Sequence, residues 1–319
     1  MEIRLFSGSA NPDLAAAVAR KLKIPLARRL LQRFPDGEVN LRLEESVRGC
    51  DVYLLQSTCP PVDEHVMELL VMVDACRRAG AGRITAIVPY YGYSRQEKKS
   101  VGREPITARL VADLLSVAGS DRVVSLDLHA PAIQGFFTIG MDHLTAVPIL
   151  IRHILARRRE GMVVVSPDTG RVKLAERYAK GLGLPMAVLH KERLGGGETE
   201  VHAVIGDVRD RRPLVVDDMI TTGGTIEGAV KALLSAGARP EIVVVATHGL
   251  LVDGATARLS DPSIVEVVLT DTVPVTPERR LPKMHILSVD GLLAETIRRL
   301  NENRSISELF PARYDHHPV

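Results

Sequence analysis

Residues 215–226 read VVDDMITTGGTI. The apolar run 213–216 has the composition of a buried strand, and the stretch from Thr225 onward reads as a helix. Between them the glycines let the backbone come close to a ligand and turn its N–H groups inward. The helix N-terminus adds partial positive charge, so the turn Thr221, Thr222, Gly223, Gly224 and Thr225 reads as a phosphate cradle. A plain strand–turn–helix connection with Thr225 as N-cap is the structural alternative. Asp217 and Asp218 decide between the two. Paired acids at a strand end repel each other, and a simple turn has no use for them. The vicinal hydroxyls of a ribose, or a metal bridging ribose and phosphate, would engage both. The ligand expected is therefore a sugar phosphate, with its phosphate in the glycine turn and its hydroxyls on Asp217 and Asp218.

The same strand–turn–helix grammar runs along the chain. Apolar, β-branched runs at 2–6, 51–56, 84–88, 122–126, 162–165, 186–189, 213–216, 242–246 and 264–269 read as strands. Amphipathic stretches at 12–22, 62–79, 107–118, 148–159, 171–182, 225–236 and 292–301 read as helices. Continuous apolar strands separated by helices predict mostly parallel sheets flanked by helices, with ligands at the carboxyl ends of strands. The length of 319 residues favours two domains. An internal echo supports this: Leu14, Ala15, Ala19, Leu22 and Pro25 recur as Leu174, Ala175, Ala179, Leu182 and Pro185, each offset by 160. We expect a domain over 1–145, a similar one over 146–319, and a last helix that packs back on the first.

Composition excludes several classes. Net charge is +2 and only 3% of residues are aromatic, so no nucleic-acid footprint is expected and any phosphate binding should be local. No stretch approaches the roughly 20 apolar residues of a membrane helix. The N-terminus, MEIRLFSGSANP, has no signal-peptide pattern, which points to the cytoplasm. Cys50, Cys59 and Cys76 lack metal-ligand spacing and are expected as small buried side chains. The tail 314–319, with His316 and His317, is expected to be disordered.

The stretch at 215–226 resembles the loop that binds phosphoribosyl diphosphate in phosphoribosyltransferases and ribose-phosphate diphosphokinases. Further motifs are similar to the second group: RFPDGE at 33–38, YYGYSRQ at 90–96, GREPIT at 102–107, DLHAP at 127–131, QGFF at 134–137, SPDTG at 166–170 and KER at 191–193. Over almost its full length the chain resembles the ribose-phosphate pyrophosphokinase family. That resemblance implies two phosphoribosyltransferase-like domains of the α/β class, the first on the ATP side and the second cradling ribose 5-phosphate. It implies transfer of diphosphate from ATP to the C1 hydroxyl of ribose 5-phosphate, with Mg²⁺ as cofactor. Residues carried over are Arg95 and Gln96 on ATP, and His129 and Asp168 on the Mg²⁺ bound to it. Phe34, Asp36, Gly37 and Glu38 form a hairpin (33–43) that reaches the ATP site of a neighbouring subunit. Lys191 is implied as the catalytic cation. Arg193 shares transition-state or ribose-phosphate contact, in a loop hinged by Gly195, Gly196 and Gly197. The partner expected is a second copy of the chain, in a dimer-based homo-oligomer with the hexamer among its forms.

Taken by themselves, the basic run RQEKK could be a solvated loop, the Pro-Asp-Gly turn a hairpin tip, and His129 or Asp168 a satisfied polar residue. A phosphoribosyltransferase and a non-catalytic paralogue are the rival readings. The first has no ATP for Arg95, Gln96, His129 and Asp168 to serve. The second would have lost residues that this chain retains. Four departures stand out: Thr221 where many members carry an acid, Arg171 for a usual second glycine, Leu174 for a common arginine, and Glu192 inside a usual Lys-Arg-Arg. They bear on the phosphate activation, ADP inhibition and hexameric state of the most familiar subclass rather than on the reaction.

Overall fold

A computed structural model describes residues 1–193 and 199–309, with side chains described throughout except at 191–193 and 199–202. The chain divides into two compact units, one of Met1–Thr145 joined by the stretch from Ser288, the other of Ala146–Leu287. Each is built around a parallel sheet with helices over it.

In the first unit the chain runs β1 (Ile3–Ser7), α1 (Pro12–Leu22), β2 (Arg29–Arg33), β3 (Val39–Leu43), β4 (Asp51–Leu55), α2 (Val62–Arg78), β5 (Arg83–Val88), α3 (Thr107–Ala118), β6 (Arg122–Leu126) and β7 (Gly140–Leu144). Its main sheet has the order β1-β4-β5-β6-β7, every pair parallel. Every residue of β4 is buried, as a strand covered on both faces requires. Phe6, Leu54, Leu69, Met72, Ala86, Val111 and Val123 form the centre of the core. The antiparallel pair β2–β3 is a separate hairpin.

In the second unit follow α4 (Val147–Ala156), β8 (Met162–Ser166), α5 (Val172–Leu182), β9 (Met186–Arg193), β10 (Thr199–Ile205), β11 (Arg212–Ile220), α6 (Gly224–Ser235), β12 (Ile242–Gly249), α7 (Ala255–Leu259), β13 (Ile264–Thr270) and β14 (Met284–Leu287). The sheet order is β10-β9-β8-β11-β12-β13-β14, and only β9–β10 is antiparallel. From β8 the chain first adds strands on one side and then returns to add β11 on the other. The order therefore reverses between β8 and β11, the switch point where open α/β sheets bind ligands. A last helix, α8 (Asp290–Asn301), belongs to the first unit and packs against α1.

The 160-residue echo has a structural counterpart. Helix α1 spans 12–22 and α5 spans 172–182, so both ends are shifted by 160. Each ends on a left-handed cap, Lys23 and Gly183. The order β1-β4-β5-β6-β7 also matches β8-β11-β12-β13-β14.

Several elements differ from the sequence pattern. The strand expected at 213–216 continues to Ile220, through both acids, because β12 pairs with it as far as Gly249. The hairpin expected at 33–43 begins at Arg29. The helix expected from Arg171 begins at Val172, after a 3₁₀ turn at Thr169–Arg171. The one expected at 148–159 runs from Val147 to Ala156, and the last helix begins at Asp290 rather than 292. Strands β7, β10 and β14 and the five-residue α7 were not legible as periodic runs. The three cysteines are buried and free, and burial pushes the thiols of Cys59 and Cys76 up to about 11 and about 12.

Candidate active site

The cradle forms where β11 meets α6. Gly223, at φ +78, is the N-cap of α6, and no side chain caps the helix. Thr225 therefore lies inside the helix and is not its cap. A left-handed residue at this point suits glycine. The N–H groups of the first helical turn have no intrahelical acceptor; that of Gly224 meets the Thr222 hydroxyl at 3.4 Å, a long bond, at the positive end of the helix dipole. Thr222, Gly224 and Thr225 are exposed, Thr221 is half-buried and Gly223 is buried. A residue the sequence pattern did not flag holds this turn. Arg258 on α7 donates from Nη1 to the Thr222 carbonyl (2.7 Å) and from Nε to Glu227 on α6 (2.9 Å). Its helix is too short to show periodicity, so composition gives no signal for it.

Asp217 and Asp218 sit in β11 just before the turn, both buried. The Asp218 backbone N–H donates to Asp217 Oδ1 at 2.8 Å. Among the described residues Arg171 is a cationic partner of both, its Nε lying 3.4 Å from Asp217 Oδ1 and 3.3 Å from Asp218 Oδ1. Burial raises the proton affinity of Asp217 well above the usual carboxylate range. The neighbouring Asp218 adds to the rise, and the Arg171 guanidinium offsets part of it.

Asp168 stands two residues past β8, across the switch point from β11. It is the cap of the 3₁₀ turn, with Oδ1 accepting from the N–H groups of Gly170 (2.8 Å) and Arg171 (3.1 Å). Its other oxygen accepts no hydrogen bond among the described residues. The structure thus brings Asp168, Arg171, Asp217, Asp218 and the 221–225 turn together at the carboxyl end of one sheet. Lys191 and Arg193 lie at the end of β9, with backbones opposite Val201 and Thr199. Their side chains, like Gly195–Gly197 and the tail 314–319, fall outside the described residues.

In the first unit His129 lies three residues past the end of β6 and is half-buried. Arg95 and Gln96 are exposed in the loop after β5, where the Gln96 carbonyl and side chain accept from the Ala108 N–H (3.3 Å) and the Thr107 hydroxyl (2.6 Å). The hairpin tip is exposed from Phe34 through Glu38. Gly37 at φ +95 turns the chain, Phe34 and Glu38 close it by a 2.9 Å backbone bond, and Arg33 ties its base to Glu64 on α2 (2.9 Å). No hydrogen bond or ion pair among the described residues joins this tip to Arg95 or Gln96.

Among the described residues, one further group of ligand-type side chains, His153, Glu266 and His285, lies in the second unit. Arg157 is 3.8 Å from Glu266 Oε1 and faces His153 Nδ1 at 3.3 Å, so the group already has a guanidinium as neighbour. Among the described residues no helix is long and apolar enough to cross a membrane.

Two similar parallel-sheet domains, with paired acids on a central strand leading into a glycine turn and an uncapped helix, define a phosphoribosyltransferase-like α/β protein. Residues 3–119 match the N-terminal domain of ribose phosphate pyrophosphokinase, and residues 197–311 match the phosphoribosyl synthetase-associated domain. Ribose-phosphate pyrophosphokinases of Gloeobacter violaceus and Rhodopirellula baltica are 48% and 49% identical; the alignments cover 97% and 98% of this chain and 93% and 99% of theirs. The crystal structure of phosphoribosylpyrophosphate synthetase from Mycobacterium smegmatis matches with a TM-score of 0.89 at 47% identity, over 95% of this chain and all of that one. The chain belongs to the ribose-phosphate pyrophosphokinase family.

Proposed function

We propose that this chain moves the terminal diphosphate of ATP onto ribose 5-phosphate, releasing AMP and 5-phospho-α-D-ribose 1-diphosphate for nucleotide biosynthesis. The C1 hydroxyl oxygen attacks the β-phosphorus in line. A C1–O–P bond forms, the bond to the AMP oxygen breaks, and the hydroxyl proton is lost. Such a reaction asks the protein to align two polyanions and offset developing charge rather than to form covalent intermediates.

The observation that carries this reading is the continuous arrangement of Asp217 and Asp218 with the uncapped turn 221–225, backed by identity of almost half along nearly the whole chain. In it, the 5-phosphate rests on the N–H groups of the turn, with the hydroxyls of Thr221, Thr222 and Thr225 as further donors. The ribose 2- and 3-hydroxyls donate to Asp217 and Asp218. Lys191 and Arg193 supply positive charge to the transferring diphosphate, the electrostatic role with the largest effect in such reactions. Arg95 and Gln96 hold ATP. Phe34, Asp36, Gly37 and Glu38 complete the ATP site from a neighbouring copy, so the working form is a dimer-based homo-oligomer. The chain acts in the cytoplasm.

His129 and Asp168 are the ligands assigned to the Mg²⁺ that accompanies ATP. Asp168 suits the role: it is oriented by two backbone N–H groups through one oxygen and offers the other to a hard cation, which takes few protein ligands. When bound, the ion offsets charge on the ATP phosphates.

Phosphorus NMR of the purified protein with ATP, Mg²⁺ and ribose 5-phosphate tests the reading. Anomeric diphosphate and AMP signals that need ribose 5-phosphate are expected. Conversion of ready-made diphosphate sugar and a base to a nucleotide, with no diphosphate transfer from ATP, would transfer the assignment to a phosphoribosyltransferase.

A further inference from the structure

Arg171 has no part in the mechanism above, yet its side chain touches both ribose-binding acids. We propose that Arg171 is a positioning residue of the ribose site, whose guanidinium favours the charged forms of Asp217 and Asp218 and aligns them to accept the sugar hydroxyls. This rests on the reading that these acids bind ribose 5-phosphate.

The local chain explains why the arginine is where it is. Asp168 accepts from the Gly170 and Arg171 N–H groups and winds 169–171 into a 3₁₀ turn at the carboxyl end of β8. That strand lies beside β11, so a long side chain leaving residue 171 reaches across to the acids of the neighbouring strand. The guanidinium side chain is only 16% exposed, and the two acid side chains only 10% and 7%. For two adjacent carboxylates this far from water, desolvation and mutual repulsion both favour a shared proton, and the guanidinium beside them works against it. Removing the Arg171 charge shifts the pair further toward one carboxylate and one acid, and an acid is a poorer acceptor for a hydroxyl.

The geometry also shows that arginine and sugar need not compete. Separations of 3.3 and 3.4 Å are looser than the 2.7–2.9 Å of a tight charge-assisted bond. Each ionised carboxylate offers about four lone-pair sites, and the contact engages one oxygen of each. A contact this loose does not by itself bar the 2- and 3-hydroxyls from the same carboxylates. Among the described residues, three further charged or titratable groups on neighbouring elements have partners of their own. Asp168 caps its turn, His248 on β12 shares a 2.9 Å bond with the Thr272 hydroxyl, and Arg258 is paired with Glu227.

The test uses the full chain carrying Arg171→Met, Arg171→Gln or Arg171→Lys. Ribose 5-phosphate binding is measured by calorimetry without ATP, KM for each substrate by steady-state kinetics, and Tm by thermal unfolding. At pH 7 the Met and Gln variants are expected to bind ribose 5-phosphate roughly tenfold or more weakly, the value of one charge-assisted hydrogen bond, with KM for ATP nearly unchanged. The weakening should diminish as pH is raised and the pair regains its charge. The Lys variant should recover most of the affinity. A merely structural arginine would lower Tm without this pH dependence or rescue. If Met or Gln variants with wild-type Tm bind ribose 5-phosphate as tightly as wild type, or more tightly, the inference is overturned. A wild-type protein that neither binds ribose 5-phosphate nor forms AMP would instead remove the functional reading beneath it.

Discussion

Asp217 is a carboxylate that a folding argument would not choose, and its placement has a thermodynamic signature. Its proton affinity is raised in the folded chain by burial and by Asp218 beside it. A group whose folded pKa lies above its unfolded value contributes stability at low pH and loses that contribution as pH rises through the folded value. An Asp217→Asn variant stays neutral throughout and escapes the loss. The stability of wild type relative to Asp217→Asn should therefore fall as pH rises from about 4 toward neutrality, with a limiting slope of about 1.4 kcal/mol per pH unit for one proton. Urea unfolding at a series of pH values measures it, and parallel curves for the two proteins would refute it. Both acids and the glycine turn were legible in sequence because each residue type has one good use at that spacing. Arg171 was visible only as an anomaly, since its partners lie 46 and 47 positions away and only the pairing of β8 with β11 brings them together.

At the scale of elements, α8 is the piece whose attachment sequence describes least and structure most. Asp51 at the start of β4 is fully buried, and it accepts from Arg83 at the start of β5, from the Tyr53 hydroxyl (2.8 Å) and from Asn301 Nδ2 (2.8 Å). Arg83 continues to the Leu300 carbonyl (2.8 Å) and Asn301 to the Met1 carbonyl (3.0 Å), so one buried carboxylate ties the last helix to the first residues of the chain. Burial alone would raise the Asp51 pKa. The hydrogen bonds from Arg83, Asn301 and Tyr53 outweigh it and hold the group below the usual range. For a depressed carboxylate the stabilisation is present above the unfolded value and fades as pH falls through the folded one. Asp51→Ala leaves a partly buried arginine and two donors without their acceptor, at a cost of about 3 kcal/mol. Amides of α8 should lose exchange protection first, and the acid limb of stability below about pH 4 should flatten. Unchanged α8 protection in a destabilised variant would show that the helix is held by its apolar face on α1 instead. The helix itself was legible from periodicity. Its anchor was not, because Asp51 and Asn301 are 250 residues apart. Polar or very short elements such as β7, β14 and α7 were missed for a related reason: their position in the sheet or beside a turn, rather than their composition, makes them regular.

At the scale of the whole molecule, the exposed hairpin tip is the feature that a single copy leaves unexplained. Phe34 is 47% exposed at the end of a two-stranded hairpin whose base is anchored to α2, an unusual place for an aromatic side chain. If the tip completes the ATP site of a second copy, two defective chains can repair each other. One carries Phe34→Ala, which spoils the hairpin it lends. The other carries Asp217→Asn, which spoils the site it owns. In a mixed pair, the intact site of the first chain receives the intact hairpin of the second. Random mixing makes half the pairs mixed, and half the sites in those pairs are whole, so about a quarter of wild-type activity should return. Each variant alone should stay far below that level, with wild-type Tm for Phe34→Ala because an exposed tip carries little packing energy. The check is diphosphate transfer measured before and after the two proteins are unfolded together and refolded as a mixture. Activity equal to the average of the two separate variants would mean that each hairpin serves its own chain, and the requirement for a second copy would fall with it.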